Sequence, residues 1–331
     1  MEIALQLLLL VVGFVILIKG ADWLIDGASS TASHFRVSKL LIGLTIVAFG
    51  TGAPELAVSI SSILNGTTDM LLGNVIGSNI INILLLLGIG ALIYPIKINK
   101  NTIWKESPLL LLMTVALVVL FMDVFPFENG MNVISQTDGI ILLLLFCIFM
   151  FYIFQMAKQS RSSSKEVEKP KFNLPLSIVM IVVGLAGVVG GAELVVSSAS
   201  NIAGAFGVPE RVVALTIVAL GTSLPELITT IKAARRHETE LLVGNIIGSN
   251  IFNICMVLGL PAAIFGGVVP ATDDTIGLMV DIAMMVLAVV MLFIFANTGK
   301  KITRGEGGAF LAVFVAYYAF LIVNVVVGLQ G

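Results

Sequence analysis

The sequence predicts an all-α polytopic membrane protein whose ten transmembrane helices form two inverted five-helix repeats, with broken helices at the centre. Three observations carry that prediction. The 331 residues are 58% hydrophobic and 11% charged, with the apolar residues gathered into long runs between short polar ones, a distribution foreign to soluble domains of this length. Lys and Arg collect in alternate connections. The first half of the chain is written again in the second.

A bilayer crossing takes about 20 mostly apolar residues, and on that ruler spans fall at 3–28, 38–64, 70–94, 107–125, 138–157, 174–200, 210–234, 240–267, 276–297 and 308–328. The first run opens without the basic n-region or cleavage site of a signal peptide, so it is kept as a span. With the amino terminus outside, the inner loops hold Arg36, Lys39, Lys97, Lys100, Lys105, Lys158, Arg161, Lys165, Lys169, Lys171, Lys232, Arg235, Arg236, Lys300, Lys301 and Arg304. The outer loops hold only Arg211. Basic residues resist translocation, so both termini are expected outside and the Lys158–Lys171 loop in the cytoplasm. The expected location is the cell (inner) membrane.

That serine-rich loop divides the chain into a first repeat (1–157), a linker (158–173) and a second repeat (174–331). Residue i matches residue i+171 without a gap from Gly20 (Gly191) to Asn82 (Asn253), through Gly50 and Gly221, Pro54 and Pro225, Asn74 and Asn245. Five spans is an odd number, so the second half enters the membrane inverted, the architecture of secondary transporters. The fourth and fifth spans of the first half carry little polar chemistry beyond Asp138 at a helix start and are read as scaffold.

Several functions are set aside on composition. A net charge of −2 without a basic stripe argues against a nucleic-acid partner. Cys147 and Cys255 lie in apolar runs and read as buried free thiols. His34 and His237 lack a second ligand at zinc spacing. There is no His-Glu-x-x-His and no evident nucleophile with a base, so an enzyme is not expected. No cofactor and no obligate protein partner is indicated beyond the lipid bilayer.

The chemistry sits in two duplicated motifs. Gly50-Thr51-Gly52-Ala53-Pro54-Glu55-Leu56 returns as Gly221-Thr222-Ser223-Leu224-Pro225-Glu226-Leu227. Pro and Gly break the helix at mid-span, which is tolerated there only where backbone lines a cavity or packs on protein. Freed carbonyls, a Thr hydroxyl and a carboxylate are hard oxygens suited to Ca²⁺ or Na⁺. The second motif, Gly73-Asn74-Val75-Ile76-Gly77-Ser78-Asn79-Ile80-Ile81-Asn82, returns from Gly244 to Asn253. Glu55, Asn82, Glu226 and Asn253 fall near mid-span, so an inverted repeat is expected to gather them at one midplane site. Without a cation the two glutamates would repel, and protons are expected to compete with metal. Gly73 and Gly77 read as helix packing. Asp22, Asp26, Glu193 and Lys19 read as snorkelling side chains near span ends, and Asp123, Glu128, Asp273 and Asp274 as solvated loop acids.

These paired motifs resemble the alpha repeats of the cation/calcium exchanger superfamily, most nearly its prokaryotic sodium/calcium exchangers, over essentially the whole chain. The resemblance implies a ten-helix antiporter in which inward Na⁺ flow expels Ca²⁺ by alternating access, the first and sixth helices sliding past the rest. It implies that Glu55 and Glu226 are shared by both ions and that Thr51 and Thr222 add oxygens around Ca²⁺. Ser78, Ser249 and Ser223, with the carbonyls of Ala48 and Ala219, would serve flanking Na⁺ positions, and Asn82 and Asn253 would complete the central one. Gly52 departs from the family's usual serine, which puts the Na⁺ stoichiometry in question. Asn253 stands where the potassium-dependent branch has Asp, which argues against K⁺ co-transport. The alternatives are an H⁺/Ca²⁺ exchanger of the same fold and a cation channel with a carboxylate filter.

Overall fold

The computed structural model describes residues 2–100, 102–122, 133–163, 169–206, 221–268 and 275–328. It is all-helical apart from one two-residue strand pair and an isolated bridge. The helices are α1 (Glu2–Phe35), α2 (Lys39–Thr51), α3 (Ala53–Leu64), α4 (Thr68–Ile93), α5 (Thr102–Phe121), α6 (Gln136–Ser163), α7 (Leu174–Ala205), α8 (Leu224–Arg235), α9 (Thr239–Phe265), α10 (Thr275–Gly299) and α11 (Arg304–Gly328). Among the described residues seven helices are long and apolar enough to cross a membrane. The pair α2 and α3, bent by 43° at its break, makes an eighth candidate.

The chain forms two compact units, Met1–Val58 with Cys147–Phe252 and Ser59–Phe146 with Asn253–Gly331. Each takes helices from both sequence halves.

In the first unit α1 packs along α7. Gly13, Gly20 and Gly27 stand seven residues apart, two helical turns, and so form one stripe. A Cβ on Gly20 would lie 2.7 Å from the Val188 amide nitrogen, one on Gly184 2.6 Å from that of Leu24, and one on Gly191 2.6 Å from that of Leu17. Small residues let the two backbones touch where packing drives association in lipid. Rising numbers on α1 meet falling numbers on α7: Gly13 faces Gly191 and Val195, and Gly27 faces Ser177 and Ile181. The helices are therefore antiparallel. Since Gly13 and Gly20 are the counterparts of Gly184 and Gly191 at the 171-residue offset, this is the relation that inversion of the halves requires.

Asp22 and Asp26 do not simply snorkel. Lys232 Nζ lies 3.1 Å from Asp22, and Arg236 reaches Asp22 at 2.7 Å and Asp26 at 2.9 Å, with Lys171 3.3 Å from Asp26. Cations from the end of α8 and from the residues before α7 neutralise acids that span position alone leaves solvated. His34 Nε2 lies 2.7 Å from the Phe172 carbonyl, and the Ser30 hydroxyl donates to the same oxygen at 3.1 Å.

The second unit carries matched devices at two of its helix starts. Ser135 and Thr303 begin α6 and α11 with reciprocal capping boxes. The Ser135 amide and hydroxyl donate to Asp138 at 2.8 and 2.6 Å, and those of Thr303 to Glu306 at 2.7 and 2.8 Å. Just before each cap the chain pairs with the segment after another helix. Strand β1 (Ile96–Lys97) runs antiparallel to β2 (Lys301–Ile302), and Ile134 bridges Val268. Gly88 and Gly307 bring α4 and α11 into backbone contact. Glu106 is fully buried at the start of α5, and the Tyr317 hydroxyl donates to Asp281 at 2.6 Å between α10 and α11.

Both cysteines are free. Cys255 is buried, whereas Cys147 is exposed, on an α6 face with exposed Leu144, Ile148 and Phe151; that apolar stretch faces away from the core.

Candidate functional site

The two copies of the first motif adopt one backbone design. The helix breaks at Gly52 (φ −80°, ψ 0°) and at Ser223 (φ −86°, ψ 3°), both in the sparsely used bridge region. It restarts at Ala53 and Leu224, with Pro54 and Pro225 in the first turn, where a missing N–H costs nothing. Glu55 and Glu226 follow in those first turns, where helix dipoles favour a negative charge. Both carboxylates are buried, 1% and 2% exposed, and close enough for each to feel the other's charge.

Buried neutral oxygens occur in the same unit. Thr51 is fully buried; its hydroxyl donates to the Val47 carbonyl at 3.0 Å, stands 3.4 Å from Asn245 Oδ1 and reaches the Glu226 carboxylate. Glu226 Oε2, Ser223 Oγ, Ser249 Oγ and Asn250 Oδ1 are buried with no hydrogen-bond partner among the described residues. Such groups carry a desolvation penalty of about 1–3 kcal/mol each when left unsatisfied. The Ala48 carbonyl accepts from the Gly52 amide at 3.0 Å. It is therefore less free than a proline break suggests, with one lone pair remaining. Thr222 lines a cavity beside the motif, and Ala219 lies outside the described residues.

The second motif has its own signature. Asn79 and Asn250 each donate their side-chain amide to the carbonyl four residues back, Val75 and Ile246, both at 2.7 Å. Directly afterwards each helix widens to a π segment, Ile81–Leu87 and Asn253–Leu258, a form concentrated at functional sites. Periodicity gave no warning of it. Asn82 and Asn253 open or nearly open these segments in the second unit, buried, with Oδ1 unpartnered among the described residues. Ser78 is buried one turn before Asn82. Asn74 donates to Ser59 Oγ at 3.1 Å, so it also ties the second motif to α3.

A Cβ on Gly73 or Gly77 would meet nothing within 4 Å, so the helix packing expected of those two glycines is not found there; it occurs at their second-half counterparts Gly244 and Gly248, which touch the Leu40 and Leu44 carbonyls. Among the described residues no three His, Cys, Asp or Glu side chains cluster.

The model of the sodium/calcium exchanger protein family matches residues 5–155 and 176–323, which is both halves and every motif above. The chain belongs to that family. Among the exchanger's relatives, the inner membrane protein YrbG of Escherichia coli is 34% identical, with 95% of each chain aligned. The sodium/calcium exchanger MaX1 of Methanosarcina acetivorans is 31% identical over 97% of this chain and 99% of its own. A solved structure of the sodium-calcium exchanger NCX_Mj, soaked with Na⁺ and Sr²⁺, superposes with a TM-score of 0.81 at 34% identity, covering 96% of this chain and 99% of that one. This exchanger is thus a multi-pass membrane protein of a transporter family.

In this exchanger Gly52 has a steric reason. Ser223 holds the same backbone angles, so the conformation does not demand glycine. A Cβ at 52 would lie 2.9 Å from Phe252 Cδ1, and Phe252 is stacked on Phe49 with ring centroids 5.0 Å apart. The residue matching Phe252 in the first half is Ile81. An aromatic ring fills the space where the other copy carries a hydroxyl.

Proposed function

We propose that the protein is a secondary antiporter that exchanges Na⁺ for Ca²⁺ by alternating access at a site built around Glu55 and Glu226. The observation that carries this reading is the buried glutamate pair, each member opening a helix after a break, with buried neutral oxygens in the same unit. Two carboxylates balance one divalent cation, and several Na⁺ ions spread over the same oxygens balance them as well. Competition for one pair of charges is what couples the ions.

Thr51 and Thr222 supply oxygens around Ca²⁺, and Ser223, Ser249 and the Ala48 and Ala219 carbonyls serve flanking Na⁺ positions. The roles of Ser78, Asn82 and Asn253 rest on the resemblance of the second motif. With a ring at the Gly52 position, one flanking Na⁺ position lacks its side-chain oxygen, and a lower Na⁺ count per Ca²⁺ follows. The antiparallel α1 and α7, joined by glycines rather than interlocked side chains, suit a pair that slides as a body.

The test is uptake of radiolabelled Ca²⁺ into proteoliposomes loaded with Na⁺ and diluted into Na⁺-free medium, beside a set driven only by a pH gradient. Uptake that needs internal Na⁺ and collapses with a sodium ionophore is expected. Uptake that ignores Na⁺ and follows pH would keep the glutamate pair and replace the coupling ion with H⁺.

A further inference from the structure

One pair of equivalent positions near the ends of the repeat differs sharply in charge balance. Asp22 and Asp26 lie one turn apart on α1, and 171 residues on, the same places on α7 hold Glu193 and Ser197. Asp22 and Asp26 are neutralised by Lys232, Arg236 and Lys171. The first-half counterparts of Lys232 and Arg236 are Ser61 and Asn65; the Asn65 amide donates to Ser61 Oγ at 3.3 Å, and neither carries charge. Glu193 has no ion-pair partner among the described residues.

Glu193 also lines a cavity of about 600 Å³ within the first unit. One wall is α3, through Pro54 and Ala57, another is α7, and the cavity reaches Thr222 and Pro225. Pro54 and Pro225 immediately precede the two glutamates. A carboxylate with no ion-pair partner among the described residues therefore stands on the wall of a mostly apolar space that ends at both duplicated motifs. Low-dielectric walls focus the field of such a charge along the cavity.

We infer that Glu193 is a capture residue, a carboxylate that draws Ca²⁺ or Na⁺ into the cavity leading to Glu55 and Glu226, while its counterpart Asp22 is held by cations and attracts none. The inference rests on the exchanger reading above. The Ser197 and Ser200 hydroxyls on the same wall give an incoming ion oxygen contacts as water is shed. Glu193 holds no ion in the bound state, so it sets the concentration at which transport half-saturates and leaves the maximal rate alone. A glutamate that merely solvates a helix face would leave half-saturation unchanged as well.

The experiment uses oriented vesicles of the full chain with Ca²⁺ supplied to each face in turn, comparing wild type, Glu193→Gln and Glu193→Asp at low ionic strength and in added choline chloride. Glu193→Gln is expected to raise the half-saturating Ca²⁺ concentration about three- to tenfold at low ionic strength, on one face only. The gap closes as salt screens the charge, maximal rate is kept, and Glu193→Asp stays near wild type. An unchanged half-saturation, a shift equal at both ionic strengths, or a fall in maximal rate would overturn the assignment. Wild-type flux driven by pH rather than Na⁺ sinks only the Na⁺ coupling, and the same comparison is then read on that flux. Wild type that moves no Ca²⁺ under either gradient contradicts both.

Discussion

Gly52 and Ser223 occupy the same helix break with the same backbone angles, yet one faces the Phe252 ring and the other ends in a buried hydroxyl with no hydrogen-bond partner among the described residues. The duplicated proline and glutamate fix the break and the charge. The residues packed around them decide how many oxygens each copy offers. Asp22 and Glu193 repeat the lesson near the span ends, where one backbone position is neutralised in one half and bare in the other. Duplication sets the architecture, and divergence at the neighbours sets what each copy presents.

The largest expected effect breaks what the copies share. Glu55→Gln or Glu226→Gln removes half the charge of the pair and should abolish Ca²⁺ transport, more than about 100-fold if an interaction of at least 2.7 kcal/mol is lost, while the protein still inserts and folds. Normal transport by both variants in the proteoliposome assay would remove the basis of the site.

Next is the α1–α7 crossing. Gly20→Val puts a Cβ against Val188 backbone and should sharply lower the yield of folded protein. Gly190→Val, on the same helix pair but with nothing within 4 Å of its Cβ position, should be tolerated; equal behaviour of the two on size-exclusion profiles in detergent would argue against backbone contact.

A smaller effect tests the divergent neighbours. Gly52→Ser alone should impair transport by displacing Phe252, whereas Gly52→Ser with Phe252→Ile, which installs the residue types found at the equivalent positions 223 and 81, should recover it and steepen the Na⁺ dependence. No recovery in the double variant would detach Phe252 from the missing oxygen. The smallest is Asp22→Asn. Its pairs are partly exposed, about a fifth to a third, so the loss of stability should be no more than about 1 kcal/mol, read as a slight drop in unfolding temperature.

The sequence made much of this legible, for physical reasons that also mark its limits. Apolar run length exposes spans, and Pro54 and Pro225 declare a break because a missing N–H is a local fact. The glutamates stand out because a carboxylate at that depth is too costly to keep unless an ion or a partner group compensates it. What stayed hidden depends on distant neighbours. Phe252 is the reason for Gly52, and the two are far apart in the chain; Lys232 and Arg236 meet Asp22 across a similar separation. The π segments after Asn79 and Asn250 leave the apolar pattern unchanged. Glu193 and Asp22 look alike as acids near span ends, and only the cavity and the ion pairs tell them apart.

The central claim, that Glu55 and Glu226 form one site shared by both ions, is tested most directly by equilibrium binding of radiolabelled Ca²⁺ to the purified protein during titration with Na⁺. The account predicts that Na⁺ displaces Ca²⁺ completely and cooperatively, and that Glu226→Gln loses Ca²⁺ binding. Calcium that stays bound at saturating Na⁺, or that binds the Glu226→Gln variant as tightly as wild type, would contradict it.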